Sequence, residues 1–566
     1  MRSTFRFSLL LLAVIVAASS CKKSVPKQTK YIPKDAILVF SASPANFRDK
    51  LASSDIKWDS IFQSITSEVS DSTKADAKKK WEDFKNAGID FSADIYGFAS
   101  TKGSIVNGQN SAFGAVALLK DATAFEAFIK KEKPGVTIKK ESNYSYAALG
   151  DDFVAGWSSD VVIISRVSNG NSAEGTYSTG EGTSSQKQLT ALFSQSESES
   201  VAAIPEFREL FAQKADILLW SNSSSTINSL PFIGLTKAAD LFKDLYAANT
   251  INFEDGKLVV NSVTYAGKDL REILKKYAGP AVDLDLVEKY PSAINGFAAF
   301  SFDPKLITEI VKFIGFESTA NQYLAQQGFS LEDINKAFKG DFAVVFSDFA
   351  ITEKESPYLP GQQVKLPFAK LLIDAKIGDK DTYKKITGKL AEKGFLVENK
   401  GAYTIPQAGN SGYSFSLDDK NLLVSNDSVL ANLYKAGNNG KAGIPSDIKD
   451  LTKGKSIAVY VDINTILKGI PSDSSSQHAL DAAKSSFKDL VATTDNFDGK
   501  SIKGHFELRT VNAKENSLVT LAKFFITVGK EVKHHVKIDD IKIEDVHPDS
   551  TESDALPPPP PPPIKK

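Results

Sequence analysis

Short apolar runs alternate along the chain with longer segments in which apolar residues recur at helical spacing. The run at residues 37–40 is followed by Pro44, and the run at residues 297–300 is followed by Pro304. Such runs indicate buried strands, and each proline suits the first turn of a helix because its φ angle is already helical. The strands come in hairpins more often than in strict strand–helix–strand alternation. This pattern predicts an α+β fold with mostly antiparallel sheets and helices packed on one face.

The order of these elements is repeated. The motif Phe-Ser-x-x-Pro begins at Phe40 and again at Phe300, 260 residues later. Six further landmarks recur in the same order, namely residues 88–95 with 328–334, 115–125 with 371–383, 153–165 with 413–425, 203–210 with 443–451, 215–220 with 455–460, and 253–260 with 497–503. In both copies a strand is followed by an aspartate, Asp121 or Asp379, that can cap the next helix, and Phe125 or Tyr383 begins the buried face of that helix. We therefore predict two tandem homologous units, residues 31–277 and residues 288–525. The alternative is two unrelated α+β domains that share a strand-proline-helix pattern.

A glycine- and serine-rich stretch interrupts the repeat in the first unit. Ser165 and Leu189 enclose 23 residues, whereas Ser425 and Leu430 enclose four. This difference accounts for the drop in spacing between the two units from 260 to 241. We interpret residues 166–188 as an inserted surface loop, because a longer loop costs little free energy of folding.

The first twenty residues have the pattern of a secretory signal. Two arginines precede an apolar run at residues 7–18, which is shorter than the roughly 20 residues that a transmembrane helix needs. Three small residues then come directly before Cys21, and this sequence resembles the lipobox of bacterial lipoproteins. The resemblance implies that residues 1–20 are removed as a signal peptide and that Cys21 carries the lipid. A chance cysteine in an ordinary signal sequence is the alternative.

Residues 21–30 have the composition of a flexible tether. Cys21 is the only cysteine of the 566 residues, so no disulfide can form within the chain. The residues after it are polar and include four lysines, as expected near anionic head groups. In the Bacteroidota lipoproteins that this composition resembles, acidic residues after the cysteine usually mark export to the cell surface. Lys22 and Lys23 stand in those positions here, which implies an outer-membrane location facing the periplasm.

The hexapeptide Tyr31-Ile32-Pro33-Lys34-Asp35-Ala36 follows the tether directly. Together with the length and the repeated layout, it resembles a family of Bacteroidota lipoproteins known only by a domain-of-unknown-function label. The resemblance would cover nearly all of residues 31–525. Because its motifs are interpreted as structural, it carries over no catalytic or binding residue.

The C-terminal stretch, residues 530–566, differs in composition from both units. It begins with dense charges of both signs, which suit an alternating edge strand or an exposed extension. Residues 557–563 are consecutive prolines, which form a polyproline II helix of about 20 Å. A solvated tail and a docking peptide for a partner are both compatible with this charged and proline-rich segment.

Composition limits the possible functions. Hydrophobic residues make up 42% and charged residues 24% of the chain, as in ordinary globular proteins, and its length requires more than one domain. The formal charge is −1, and loss of Arg2 and Arg6 with the signal lowers it to −3. This balance does not suggest nucleic-acid binding. Only five histidines are present, which reduces the expectation of metal or acid–base chemistry.

The sequence shows no recognisable catalytic, cofactor-binding or metal-binding motif. His534 and His535 are adjacent and therefore diverge on either a helix or a strand, so they cannot form a bidentate metal site. The segment at residues 454–456 imitates the end of a phosphate-binding loop, but Lys449 stands where the loop needs glycine. Acidic pairs at residues 151–152 and 418–419 are explained by turns. Core packing is expected for Trp58, Trp81, Trp157 and Trp220.

These observations favour a non-catalytic binding or scaffold lipoprotein of the cell envelope. It would be held at the membrane by the lipid on Cys21 and would use the repeated unit to bind an envelope protein or a cell-wall component. Two alternatives are an envelope hydrolase that uses carboxylates and a carrier of a lipid or another apolar ligand. The hydrolase requires two convergent acidic side chains in a pocket. The carrier is suggested by 36 phenylalanines.

Overall fold

The computed structural model describes residues 25–52, 54, 56, 71–104, 108–150, 152–169, 184–224, 237–355, 361–399, 402–404, 414–417, 421–437, 442–471 and 477–535. The strands of these residues are β1 Leu38–Ala42, β2 Ile95–Ser104, β3 Gly108–Leu118, β4 Lys139–Lys140, β5 Ser145–Gly150, β6 Phe153–Trp157, β7 Val161–Asn169, β8 Ile217–Asn222, β9 Tyr246–Glu254, β10 Lys257–Tyr265, β11 Gly296–Ser301, β12 Phe338–Glu355, β13 Gln363–Ile377, β14 Val397–Asn399, β15 Ala402–Thr404, β16 Ser414–Leu417, β17 Asn421–Ser425, β18 Ile457–Val461, β19 Phe487–Thr494 and β20 Ser501–Thr510.

The helices of the described residues are α1 Pro44–Leu51, α2 Asp71–Lys85, α3 Ala122–Glu132, α4 Ser184–Ser194, α5 Pro205–Phe211, α6 Ala238–Leu241, α7 Lys268–Tyr277, α8 Asp285–Glu288, α9 Lys305–Phe313, α10 Glu317–Gln327, α11 Leu331–Ala337, α12 Lys380–Glu392, α13 Ser428–Lys435, α14 Ser446–Thr452, α15 Ile463–Lys468, α16 Gln477–Ser486 and α17 Ser517–His535. Lys27–Tyr31, Glu197–Glu199 and Val201–Ala203 form short 3-10 helices. No helix in this part of the chain is both long and apolar enough to span a membrane.

Eighteen of the described strands form one sheet, and every pairing in it is antiparallel. From one edge to the other, the strands follow the order β4-β5-β6-β7-β3-β2-β1-β8-β9-β10-β20-β19-β18-β11-β12-β13-β17-β16. Strands β14 and β15 form a separate hairpin. The α+β class with a large antiparallel sheet, predicted from the sequence, is confirmed.

The strand pairing repeats on either side of one seam. Lobe 1, residues 25–277, has the order β7-β3-β2-β1-β8-β9-β10, and lobe 2, residues 285–535, has the order β17-β13-β12-β11-β18-β19-β20. At the seam β10 pairs with β20, so that Asn261 lies opposite His505 and the lobes share one sheet. The repeated order supports the tandem duplication, which we keep as a proposal.

Backbone hydrogen bonds identify corresponding positions in the two lobes. Ile37 donates its N–H to Ala99 and accepts one from Asn222. Asn295 makes the same pair of bonds, with Phe346 and Asp462. Ile37 and Asn295 therefore correspond at a spacing of 258, and the Phe-Ser-x-x-Pro match at 260 is out of register by two residues. A shift of two keeps each side chain on the same face of a strand, so the apolar pattern does not reveal it.

Helices cover both faces of the sheet, whereas the sequence pattern placed them on one. In lobe 1, Leu189 of α4 and Phe207 of α5 share a core with Val161, while Phe125 of α3 packs in a second core with Val162. Because consecutive strand residues point to opposite faces, these two cores lie on opposite sides of β7. Lobe 2 has the same arrangement, with α13 and α14 in one core and α12 in the other. In strands such as β7, consecutive residues are apolar and point to opposite faces of the sheet. Both faces therefore need to be covered by helices, and the prediction of helices on one face is wrong.

The last helix of each lobe contacts the first long helix of the other lobe. Helix α17 packs against α1, and α7 packs against α9. Near α17, Asn516 donates its side-chain amide to the Phe253 carbonyl at 2.9 Å, and Phe253 lies 5.8 Å from the Phe47 ring of α1. These exchanged contacts and the β10–β20 pairing hold the lobes together as one body.

The chain before β1 is more ordered than a flexible tether. Lys27–Tyr31 form a 3-10 helix in which Gln28 is 3% and Thr29 1% exposed. The Gln28 side-chain amide donates to the Asp94 carbonyl at 3.0 Å. Two residues of the predicted tether at residues 21–30 are therefore buried, since polar residues can be buried when their hydrogen bonds are satisfied. Cys21 and the signal peptide lie outside the described residues.

Several local predictions can be compared with the structure. Asp121 accepts hydrogen bonds from the N–H groups at the start of α3, and Asp379 does so for α12, which confirms both predicted helix caps. Strand β7 runs to Asn169 and α4 begins at Ser184, so only residues 170–183 of the predicted insertion lie outside the described residues. Helix α17 reaches His535, so the start of the charged C-terminal stretch is helical and not a strand. Its proline run lies outside the described residues.

Candidate functional site

Two cavities lie side by side at one end of lobe 1. We call this end the upper edge; it is where β1 begins and where β2 and β8 end. The α4 cavity has a volume of about 860 Å³ and lies between the sheet and α4. The β9 cavity has a volume of about 460 Å³ and lies beside the start of β9. Lys34 and Asp35, which we call the ridge, line both cavities.

The ridge is held by the residues on either side of it. Ile32 and Ala36 are fully buried in the core of lobe 1, while Lys34 and Asp35 between them are exposed. The Lys34 N–H donates to the Glu199 carbonyl at 2.9 Å, and Pro33 forms a β-bridge with Ser200. The buried residues on either side and the backbone pairing therefore hold the two charged side chains at the boundary between the cavities.

Ser100, Ala112 and Val167 line the α4 cavity from the sheet. Ser100 of β2 is 3% exposed, and its cross-strand neighbour is Ala112 of β3. Both residues line the cavity together with Lys187 and Gln188 of α4. Within the described part of the chain the Ser100 hydroxyl has no hydrogen-bond partner. A buried hydroxyl beside a cavity is able to bond a ligand or a water molecule.

The corresponding space in lobe 2 is filled. Ala99 and Phe346 are corresponding residues, so the serines that follow them, Ser100 and Ser347, also correspond. Ser347 is fully buried and forms a hydrogen bond with the Tyr290 hydroxyl at 2.8 Å. Its cross-strand neighbour is Lys370, whose ammonium lies 3.0 Å from Asp348 and 3.6 Å from Asp427. Lobe 1 therefore has Ala112 where lobe 2 has a lysine, and its serine lacks the tyrosine partner.

The β9 cavity also has a buried polar group at its wall. Asn222 is 7% exposed, and its side-chain oxygen accepts the Ser224 N–H at 3.1 Å. Its amide nitrogen makes no hydrogen bond among the described residues, and the residue lines the cavity. The corresponding residue of lobe 2, Asp462, instead caps α15 by accepting the Thr465 N–H at 2.9 Å. At this position lobe 1 therefore has an amide N–H group without a hydrogen bond in the described chain, whereas lobe 2 has a residue that caps a helix.

The ionisable side chains around the cavities are of both signs. Within the described residues, none of the following five lining side chains forms an ion pair: Lys34, Asp35, Lys187, Asp240 and Lys243. Asp244 accepts the Tyr246 hydroxyl at 3.2 Å, and burial followed by the nearby Asp244 charge raises the pKa of Tyr246. Hydrogen bonds from the Ser196 N–H and hydroxyl lower the pKa of Glu199. The cavity walls therefore offer separate cations and anions.

A third cavity lies at the opposite, lower edge of lobe 1. It has a volume of about 800 Å³ and is lined by the N-terminal segment from Val25 to Lys30 and by α5. Lys27 pairs there with Asp160, in the turn before β7. The N-terminal segment therefore begins at the lower edge and reaches the upper edge at the ridge.

The residues singled out in the sequence do not converge on a site. Trp157 and Trp220 are 3% and 0% exposed, which confirms core packing for both, while Trp81 is half-buried and Trp58 lies outside the described residues. Asp152 has a φ of 63° in a turn, as its interpretation required. Asp151 and the pair at 418–419 lie outside the described residues. His534 and His535 belong to the last turn of α17, and their side chains are not described.

No group of three or more histidine, cysteine or acidic side chains in the described ranges is placed to hold a metal ion. Sequence reasoning missed Ser100 and Asn222, because neither belongs to a motif. Lys34 and Asp35 were noticed as part of the hexapeptide but were given only a structural role.

The chain has distant structural matches among known proteins. Two solved structures match, crystal forms IV and I of TP0453, with 12% and 11% sequence identity and TM-scores of 0.25 and 0.23. The matches cover 44% and 46% of this chain and 83% and 89% of the other chains. At these TM-scores the likeness carries no argument about function. A search of curated proteins gave no match.

A protein-family comparison gave a longer match. The model described as "Domain of unknown function (DUF4836)" matches residues 28–357. This range begins within the 3-10 helix before β1, covers the rest of lobe 1 and continues into β12 of lobe 2. Because it includes more than half of the 566 residues, the chain belongs to the DUF4836 family.

Proposed function

We propose that this protein is a lipid-anchored lipoprotein of the cell envelope with a non-catalytic binding role, and that the two cavities beside the ridge are its binding site. The observation that carries the proposal is the difference between the lobes at corresponding positions. Within the described residues, Ser100 and Asn222 each leave a polar atom without a hydrogen bond at a cavity wall, whereas Ser347 and Asp462 use theirs within the protein. Polar atoms that reach a cavity without an internal partner are able to bond a ligand or a water molecule there.

The anchor would fix the orientation of lobe 1. Val25 at the lower edge follows Cys21 by only four positions, which limits the distance between the two residues to about 14 Å. Ser100 lies six residues beyond Asp94 along β2, which is about 20 Å further from the lower edge. A lipid on Cys21 would therefore place the two cavities on the side of lobe 1 that faces away from the membrane. We assign this membrane, as the sequence implied, to the outer membrane on its periplasmic side.

The cavity chemistry supports binding of a polar ligand. A carrier of apolar ligands has no use for free charges, whereas unpaired charges of both signs line this site. A carboxylate hydrolase needs an acidic group with a raised pKa to act as the general acid. Among the described acidic residues that line the cavities, Glu199 has a shifted pKa, and the shift is downward. Binding is therefore the role that these side chains support best.

Lipidation is tested by Cys21→Ala in the native cell. We expect the variant to leave the membrane fraction, because the thioether can form only on the cysteine, and Ser24→Ala serves as the matched control with the thiol intact. Immunoblots of membrane and soluble fractions measure the distribution. Retention of Cys21→Ala in membranes at the level of the control would refute the anchor.

The site is tested by photo-crosslinking in intact cells from two helix positions. A photoreactive amino acid at Lys187 on α4 faces the cavity, and one at Asn432 on α13 is exposed on the equivalent helix of lobe 2. We expect a discrete mass increase of the protein from position 187 and none from position 432. The same experiment in a variant that lacks residues 548–566 shows whether the proline-rich tail affects capture. Equal capture from both positions, or none from position 187, contradicts the assigned site.

A further inference from the structure

We propose that the ligand of the two cavities is a short peptide, or a fragment that ends in one, with free positive and negative groups. This inference rests on the proposed binding function and specifies its ligand class. Three features of the site support it. They are its unpaired charges, its hydrogen-bonding groups at the cavity walls, and the absence of a free aromatic face among the described lining residues.

The unpaired charges occur in opposite pairs. On the ridge, the Lys34 and Asp35 side chains are adjacent and exposed to both cavities. The β9 cavity adds Asp240 and Lys243 on its far wall, and Lys187 adds a cation to the α4 cavity. Complementary charge is a main source of specificity in binding. A ligand of one sign would meet repulsion on one side of the ridge, whereas a ligand with both signs can be paired throughout.

The buried groups match the peptide unit. The Ser100 hydroxyl can donate and accept, and the Asn222 amide nitrogen can donate. Each peptide unit carries one strong donor and one strong acceptor, so an extended peptide can satisfy both walls. The two volumes, about 860 and 460 Å³, lie within the range of small-ligand pockets, and the shared ridge allows one ligand to contact both.

A sugar ligand fits these walls less well. Sugar-binding sites gain affinity when an aromatic face is open to the ligand. Tyr246 is the aromatic residue among the described lining residues, and its ring stacks on Trp220 at 4.8 Å between centroids. The Tyr246 hydroxyl donates to Asp244 at 3.2 Å. The lining therefore favours a charged peptide over an uncharged glycan.

The experiment measures binding of trialanine to the full mature chain, produced from residue 22 onward and therefore without Cys21. Isothermal titration compares trialanine with its N-acetylated form, its C-terminal amide and chitotriose. We expect trialanine to bind at millimolar concentrations or better. Removing either charge should weaken binding at least about tenfold, since hydrogen bonds to charged groups are worth more than a factor of ten.

Two pairs of variants locate the binding. Ala112→Leu fills the α4 cavity from β3 and should weaken trialanine binding at least about tenfold, as expected when contact with one cavity is lost. Ala115→Leu, on the exposed opposite face of the same strand, should leave it unchanged. Lys34→Gln should weaken binding of the acetylated peptide more than that of the amide, and Lys514→Gln is the control at a distant exposed lysine.

The outcomes separate the ligand class from the binding function. Equal affinities for trialanine and its blocked forms, or binding of chitotriose alone, overturn the peptide assignment. If Ala112→Leu nevertheless abolishes the capture seen from position 187, the site stands and only the ligand class is wrong. If Ala112→Leu and Ala115→Leu behave alike for every probe and in capture, the proposed function fails as well.

Discussion

The upper edges of the two lobes differ in how space between the sheet and the following helix is filled. In lobe 2, Tyr290, Ser347 and Lys370 occupy it and satisfy each other or nearby carboxylates. In lobe 1, Ser100 and Ala112 occupy the corresponding strand positions and leave a cavity of about 860 Å³. The same strand pairing therefore supports a packed edge in one lobe and an open edge in the other.

The loops at these edges differ in the same direction. Fourteen residues, 170–183, separate β7 from α4 in lobe 1, and two residues, 426–427, separate β17 from α13 in lobe 2. The short connection ends in Asp427, which caps α13 and also contacts Lys370. Binding residues are found more often than average on the loops that connect the elements of a fold. The insertion and the cavities thus mark the same edge.

The largest expected difference in stability between the lobes comes from one cross-strand pair of residues. Asp489 and Arg509 pair across β19 and β20, where lobe 1 has Tyr246 and Tyr265. Arg509→Leu leaves Asp489, which is 2% exposed, without its bidentate partner and should lower the free energy of unfolding by about 3–5 kcal/mol. Tyr265→Phe removes only a bond to Glu209 and should cost about 1 kcal/mol. Urea unfolding measures both.

A double variant sharpens this contrast. Asp489→Leu combined with Arg509→Leu removes both charges and should recover most of the lost stability, because no buried charge is left unpaired. If the double variant is as unstable as Arg509→Leu alone, packing and not the unpaired charge is responsible.

The next largest effect compares the two serines. Ser347→Ala leaves the buried Tyr290 hydroxyl without a partner and should cost about 1–2 kcal/mol. Ser100→Ala removes a hydroxyl that has no partner in the described chain and should change stability by less than about 0.5 kcal/mol. Thermal unfolding of the two variants is the measurement. Equal losses would contradict the view that only lobe 2 uses its serine internally.

Parts of the fold follow directly from local chemistry. The strand-then-proline pattern, the caps at Asp121 and Asp379, and the buried Phe125 and Tyr383 that follow them were predicted, because each depends on a few neighbouring residues. Of the family resemblance drawn from the hexapeptide, the domain-of-unknown-function label agrees with the DUF4836 match. The continuous sheet was not predicted, because the pairing of β10 with β20 joins residues more than 200 positions apart.

The candidate site was beyond the reach of sequence patterns. The landmarks of the repeat end at residue 95 and resume at residue 115, so they do not pair Ser100 with a residue of lobe 2. Only the hydrogen-bonded register shows that Ser100 corresponds to Ser347 and Ala112 to Lys370. Whether a buried polar atom is paired also depends on distant residues, such as Tyr290.

A smaller, pH-dependent effect is expected in the β19–β20 turn of lobe 2. Hydrogen bonds from the Ser501 and Lys500 N–H groups hold the pKa of Asp498 at about 2, despite some burial. A pKa below the unfolded value of about 3.9 stabilises the protein above that pH, and this contribution disappears as pH falls through about 2. The side chain is 42% exposed, so we expect at most about 1 kcal/mol.

This contribution is measured by urea unfolding of wild type and Asp498→Asn at pH 5 and pH 2.5. The stability difference between them should be larger at pH 5. Asp255→Asn, in the corresponding turn of lobe 1, is the matched change. A difference between wild type and Asp498→Asn that is the same at both pH values would show that the carboxylate charge does not stabilise the turn.

The smallest expected effect is that of filling the α4 cavity. Ala112→Leu adds apolar volume where space is available and should change the free energy of unfolding by less than about 0.5 kcal/mol, although it should reduce ligand binding. Chemical unfolding without ligand measures the stability. A loss of several kcal/mol would mean that the space is already packed.

The difference between the lobes is tested most directly by thiol labelling, because the mature chain without Cys21 has no other cysteine. Ser100→Cys and Ser347→Cys place one thiol at each corresponding position. Their reaction rates with methyl methanethiosulfonate are followed by mass spectrometry under native conditions. We predict at least about tenfold faster labelling for Ser100→Cys, since the thiol in lobe 2 reacts only after local opening. Equal rates, or faster labelling of Ser347→Cys, would contradict an open edge in lobe 1 and a filled edge in lobe 2.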